Sequence, residues 1–179
     1  MKKRVSILLA VLLGACTKEA PREQHVILHP NNSIWKSWTI QRTPSGDTLI
    51  QGAYKEFYWN GSPSAVTQYQ GGLKEGTSQA WYDKGNLKWT KLYKSGKREG
   101  TWRMYSSDGR PLVEVSFRDG EIQGQAKVWD KNDTNVVLTA AYDKGQCTGD
   151  ACKALDSLQS AAATDKRAGE AEWIRGFLE

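Results

Sequence analysis

The chain has 179 residues, with 25 Lys and Arg against 20 Asp and Glu and a formal charge of +5. Lys2, Lys3 and Arg4 supply three of those charges, and no acidic residue stands among the first fifteen, so beyond that segment the excess falls to +2. That balance gives no footing for nucleic-acid binding, which wants a concentrated basic patch.

The three basic residues are followed by an apolar run, Val5 to Leu13. It is shorter than the roughly 20 residues a membrane-spanning helix needs. It ends in Leu13-Gly14-Ala15-Cys16, and small residues before a cysteine at this position resemble the bacterial lipobox. The resemblance implies acylation of the Cys16 thiol and cleavage after Ala15, which makes residues 1–15 a lipoprotein signal peptide and leaves palmitate-type chains on Cys16. The alternative is an ordinary secretory signal in which Cys16 is incidental. Thr17, rather than Asp, after the cysteine resembles the outer-membrane class of lipoproteins, with the periplasmic or surface side left open.

Residues 16–34 are expected to form a tether. The stretch from Thr17 to Gln24 is polar and broken by Pro21, and His29-Pro30-Asn31-Asn32-Ser33 is loop chemistry. The eighteen residues after Cys16, 17–34, would reach roughly 60 Å when extended. Val26, Ile27 and Leu28 argue that part of the segment docks on the folded domain. Residues 35–51 are expected to be N-terminal cap strands.

From residue 52 the chain is periodic. Gly52, Gly76, Gly100 and Gly124 stand 24 residues apart, as do Gly61, Gly85 and Gly109, and Gly72, Gly96 and Gly120. A period of this size marks one small unit copied and stacked. Asp83-Lys84-Gly85-Asn86 and Ser107-Asp108-Gly109-Arg110 are hairpin signals. Val113, Val115 and Phe117 alternate with Glu114, Ser116 and Arg118, and Leu138, Ala140 and Tyr142 keep the same two-residue period of a strand. Phe57, Trp81, Tyr105 and Trp129 form one aromatic column; Tyr69, Tyr93, Phe117 and Tyr142 form a second. A two-stranded unit cannot bury enough apolar surface alone, so copies must cover one another.

The recurring Tyr-x-x-Gly-x-x-x-Gly, with an aromatic five residues after its second glycine, resembles the MORN repeat, and more closely the antitoxin-like MORN variants of bacteria. Tyr69, Gly72, Gly76 and Trp81 carry the match, as do Tyr93, Gly96, Gly100 and Tyr105, and Phe117, Gly120, Gly124 and Trp129. The resemblance covers residues 52–149 and implies an all-β array of stacked antiparallel hairpins used as a binding or scaffold surface.

Cys147 and Cys152 remain once Cys16 is set aside. An oxidising envelope compartment favours a disulfide between them, closing a loop where the array ends; two free thiols or half of a metal site are the alternatives. Residues 150–179, rich in Ala, Leu, Glu and Gln, are expected to form a short C-terminal helical cap or a partner-binding tail.

No nucleophile, phosphate-loop or metal-ligand pattern stands out. His25 and His29 have no third ligand in view, and Asp83, Asp108, Asp119 and Glu121 are explained by turn chemistry. The expectation is therefore a protein with no enzymatic activity, cofactor, metal or small-molecule substrate. Its membrane partner is reached through the lipid, and its protein partner meets a face that includes Trp89, Lys91, Trp102 and Arg103. Trp35, Trp38 and Trp59 are further candidates for exposed rings. An immunity-type lipoprotein neutralising a periplasmic toxin, and an envelope glycan-binding module using exposed tryptophans, are the alternatives.

Overall fold

The computed structural model describes residues 4–8, 22–130, 135–148 and Cys152. Among them the fold is all-β, and the paired strands run antiparallel. The chain divides into two compact units. One comprises residues up to Leu87 together with Leu92–Lys97; the other comprises Lys88–Lys91 and everything from Arg98.

The first unit contains β1 (Arg4–Leu8), β2 (Arg22–Leu28), β3 (Ile34–Arg42), β4 (Thr48–Ile50), β5 (Gly52–Phe57), β6 (Pro63–Gln70), β7 (Leu73–Lys74) and β8 (Gly76–Trp81). These pair in the order β1-β2-β3-β5-β6-β8, with β4 on β3 and β7 on β6. Strand β9 (Leu87–Lys94) has residues in both units. The second unit holds β10 (Lys97–Tyr105, from Arg98), β11 (Pro111–Arg118), β12 (Glu121–Trp129), β13 (Val136–Asp143) and β14 (Gln146–Thr148), paired in that order.

Two segments differ from expectation. Residues 22–28, assigned to a tether, form β2, because Val26, Ile27 and Leu28 give that stretch enough apolar surface to pair with β3 along Arg22↔Gln41 to Leu28↔Ile34. Arg4–Leu8, within the expected leader, lies antiparallel on the edge of β2, from Arg4↔Ile27 to Leu8↔Glu23. The expected helical cap falls on residues that lie outside those described, apart from Cys152. The Cys147 and Cys152 sulfurs are bonded at 2.04 Å.

Alternation builds the core of the second unit. Val113, Val115 and Phe117 are 1%, 3% and 3% exposed, while Arg118 faces solvent. Across the ladder, Met104↔Val113, Trp102↔Val115 and Gly100↔Phe117 bring three β10 positions onto the same face. Trp102 is completely buried, its ring centroid 4.6 Å from that of Phe117. Arg98 lies over the Phe117 ring at 4.8 Å and donates from Nε and Nη2 to the Gly120 carbonyl at 3.1 and 2.8 Å.

The hairpin turns show what the glycines and their neighbours do. Ser95 (φ 48°) and Gly96 (φ 81°) are both left-handed, the geometry of a two-residue type I′ turn. That turn is fastened to the preceding hairpin twice. Gly96 N donates to the Lys74 carbonyl at 2.8 Å, and Ser95 N donates to the Glu75 carboxylate at 2.6 Å. In the same unit Gly72 N donates to Ile50 O and Gly71 N to the Gln51 side chain. In the second unit Gly120 N reaches Arg98 O while Asp119 N reaches Glu99, and Gly145 N reaches Ile122 O while Lys144 N reaches Gln123. Each fastening satisfies two turn N–H groups that a tight turn leaves without ladder partners.

Gly76, directly after the acceptor Glu75, has φ 78°, and a Cβ there would meet nothing within 4 Å. Glycine is demanded by the backbone, not by crowding. Gly76→Ala is expected to lower stability by about 1–2 kcal/mol, whereas Ser95→Asn, which tolerates the left-handed region, should raise it by about 0.5 kcal/mol. Chemical denaturation of both variants checks this. Ser78 is 1% exposed, and its hydroxyl has no hydrogen-bond partner among the described residues. Ser78→Ala should therefore stabilise the protein, by about 1 kcal/mol; a lower melting temperature would show that the hydroxyl is bonded.

Candidate partner-binding surface

Two of the four positions expected to meet a partner are interior. Trp102 is 0% exposed and Lys91 9%. Lys91 Nζ sits over the Trp102 ring at 4.5 Å and the Trp89 ring at 5.2 Å, so its charge is engaged in cation–π contact within its own unit. Trp102 alternates onto the apolar side of β10, which removes it from any partner surface. Arg103, the next residue, points to the other side, is exposed, and donates to the Glu114 carboxylate at 2.7 Å across the β10–β11 ladder. Trp89 is half-buried. Trp89 and Arg103 thus remain available, the latter as one half of an ion pair.

Among the described residues the exposed tryptophan is Trp59, 58% accessible, in the turn between β5 and β6. It is held in place. Its ring stacks on His29 at 4.6 Å, and its carbonyl accepts from Asn31 Nδ2 at 3.2 Å and Ser33 Oγ at 3.3 Å. His29, buried, lies with Nε2 3.2 Å from the Phe57 carbonyl and with its ring tilted against Trp35 at 5.8 Å. Ile34, 42% exposed, starts the strand beside this turn. An exposed ring held by its neighbours is the kind of anchor that protein interfaces use.

The two sides of β2, β3 and β5 differ in chemistry. On one side a ring stack runs from His25 to Trp38 at 5.4 Å and on to Tyr54 at 5.6 Å, and Tyr54 meets Tyr69 edge-on. Lys36 bonds the Glu56 carboxylate here at 2.7 Å, and that bond raises the Lys36 pKa above its ordinary value against the opposing effect of burial. Glu23, near His25 and Arg42, is on this side too. On the other side a concavity of about 430 Å³ is lined by Arg22, Gln24, Ser37, Thr39, Gln51 and Lys55. It opens where β3 parts from β5 after Ser37↔Lys55 and takes β4 as its partner from Ile40↔Ile50.

The two histidines are absorbed into ring stacks. Asp83, Asp108 and Asp119 sit in turns as their chemistry predicts; Asp108 accepts from Ser106 Oγ and from Arg110 Nε. Sequence reasoning missed the acceptors Gln51, Glu75, Glu99 and Gln123. The available signal was a Gln or Glu directly before each of the strand glycines Gly52, Gly76, Gly100 and Gly124. It also missed that His29 occupies the role of Tyr58. His29 N donates to Ser33 O as Tyr58 N donates to Ser62 O, and the Tyr58 hydroxyl donates to Trp81 O where His29 approaches Phe57 O.

No protein-family model matches this chain, and no curated protein matches it.

The burial pattern separates the two tryptophans experimentally. Trp102→Ala should cost about 3–5 kcal/mol, while Trp59→Ala should cost no more than about 1 kcal/mol. Equilibrium unfolding of the two variants tests the assignment, and equal losses would contradict it.

Proposed function

We propose that this chain is a lipid-anchored envelope protein whose MORN-like hairpin array works as a non-catalytic binding or scaffold module. The array reading is supported by bonds that return at the repeat step. The acceptors Gln51, Glu75, Glu99 and Gln123 stand 24 residues apart, each taking the N–H of a later left-handed turn residue. The matched bonds of His29 and Tyr58 extend the reading to one earlier, irregular copy built from β2 and β3.

The observation that carries the binding role is Trp59. A ring of this size exposed to water lowers stability relative to burying it, and here its turn is braced by His29, Asn31 and Ser33 rather than folded inward. That arrangement supports recognition of a partner protein through Trp59 and Ile34.

Anchoring rests on the lipobox resemblance. With β2 beginning at Arg22, only residues 17–21 would separate the acylated Cys16 from the folded domain, a reach of roughly 16 Å. The module would then lie close to the membrane, where confinement raises its effective concentration towards other anchored components. Cys16→Ala is expected to abolish labelled-palmitate incorporation and move the protein out of the membrane fraction.

Cross-linking and affinity capture from envelopes should recover a partner with the wild-type chain and lose it with Trp59→Ala at unchanged protein level. Recovery undiminished by Trp59→Ala would overturn the assignment of this surface. The same exposed ring favours one second reading, stacking on a sugar of the envelope glycan. Quenching or a blue shift of tryptophan emission on titration with peptidoglycan fragments, absent in Trp59→Ala, would establish that instead.

A further inference from the structure

Among the described residues β2 has two strand neighbours, β3 on one side and β1 on the other. Strand β1 belongs to the expected leader, and its five residues run antiparallel to β2 from Arg4↔Ile27 to Leu8↔Glu23. On the lipobox reading residues 1–15 are removed, and β1 goes with them. The N–H and C=O groups that β2 turns towards β1 then lose their partners and become the rim of a sheet, open to pairing with another chain.

Nothing in β2 blunts that rim. Sheet edges are ordinarily protected by short strands, Pro, Lys or bulges. Strand β2 is seven residues long and contains no Pro, Gly or Lys, and its pairing with β3 stays in register from Arg22 to Ile27. Its carboxylate, Glu23, lies 3.4 Å from His25 and 3.9 Å from Arg42, so its charge is partly answered within the sheet. The last described strand is treated differently. Strand β14 is three residues long, and its Cys147 is tied to Cys152.

The segment that β2 already takes shows what chemistry suits it. Val5 and Ile7 are β-branched, Leu8 is apolar, Ser6 is small, and the only charge is at Arg4. Such residues favour extended backbone. In the register observed, Val5 stands opposite Val26 and Ile7 opposite Gln24. Strand β2 also leads from Arg22 through Leu28 directly into His29, whose ring backs Trp59. A segment added to β2 therefore runs along the hairpin that braces Trp59, and one partner can engage both.

We propose that the edge of β2 is a strand-addition site. The leader strand covers it before processing, and in the mature chain it takes an extended, mainly apolar segment of a partner protein, antiparallel as β1 is. Main-chain hydrogen bonds supply the affinity of such pairing, and alternate side chains its specificity. The inference rests on the lipobox reading for removal of the leader and on the reading of the chain as a binding module.

The test uses the chain isolated from envelopes in detergent, the 179-residue chain made by cell-free synthesis with its leader intact, and a fluorescent peptide Arg-Val-Ser-Ile-Leu. The mass of the isolated chain shows whether residues 1–15 are gone; a chain that retains them overturns the lipobox reading and this site with it. Anisotropy should report saturable binding to the mature chain. Binding to the leader-bearing chain should be weaker by about tenfold or more, because the tethered strand competes at high effective concentration. Alternate residues of a strand turn their N–H groups to opposite edges, so two methylated peptides separate pairing from apolar adhesion. One is N-methylated at Val and Ile, the other at Ser and Leu. One of the two should lose about tenfold in affinity and the other should keep it. Equal loss or equal retention overturns strand addition. Self-association of the mature chain that the peptide reverses overturns the assignment to a different protein. Failure of the peptide to bind a chain shown to begin at Cys16 removes this site alone and leaves the Trp59 surface standing.

Discussion

The structure depends on a left-handed turn residue whose N–H is taken by the side chain of the preceding hairpin. A non-glycine residue at φ near 50° is strained, and each such turn also exposes N–H groups to be satisfied. Glu75 answers both needs for Ser95, and Glu99 does so for Asp119. The bond to the glycine N–H beside it reaches a backbone carbonyl, so it is insensitive to sequence. The side-chain bond is not, and it selects Glu or Gln at the position before the strand glycines Gly52, Gly76, Gly100 and Gly124. Together the two bonds join hairpins that would each be only marginally stable alone.

That constraint sets the distribution of apolar surface. Once a hairpin is held to the next, side chains at the same ladder level become neighbours, and burial concentrates where large rings meet small partners. In the second unit Gly100 stands opposite Phe117 and leaves the ring space to meet Trp102. In the first unit His25, Trp38 and Tyr54 fill the corresponding level with stacked rings, while Ser78 marks a place where the level holds only a small side chain. The two aromatic columns visible in the sequence are therefore unequal. Tyr93 and Phe117 are buried, whereas Phe57, Trp81, Tyr105 and Trp129 are half-buried.

The β character, the turn positions and the alternation at Val113, Val115 and Phe117 were legible because each rests on local chemistry. Gly85 and Gly109 announced their turns in the same way. What was not legible depended on pairing. Trp102 looked displaced from the columns, yet its opposition to Val115 puts it in the core. Lys91 looked like a surface charge, yet it faces two rings. Residues 22–34 looked like a tether because Pro21, Pro30 and the two asparagines dominate their composition. The His29–Ser33 turn uses Asn32 at φ 65° where the later turns use glycine, so a search for spaced glycines passes over it. Its distance from the Tyr58 turn is also longer than 24 residues, because the loop between β3 and β4 is a longer turn closed by Thr43 and Asp47.

The irregular first hairpin also braces the turn that carries Trp59. A copy that keeps the hydrogen bonds of its neighbours but not their spacing is free to carry different side chains at the shared positions. His29 stands where Tyr58 would, and so backs Trp59 with a ring instead of a hydroxyl. In the regular copies Gln51 and Gln123 take the place that Glu75 and Glu99 hold, and the turn bond is kept through an amide or a carboxylate oxygen alike. The change at His29 preserves the backbone bonds of the position and alters the group behind Trp59, so the turn keeps its shape while its ring is backed by a second ring.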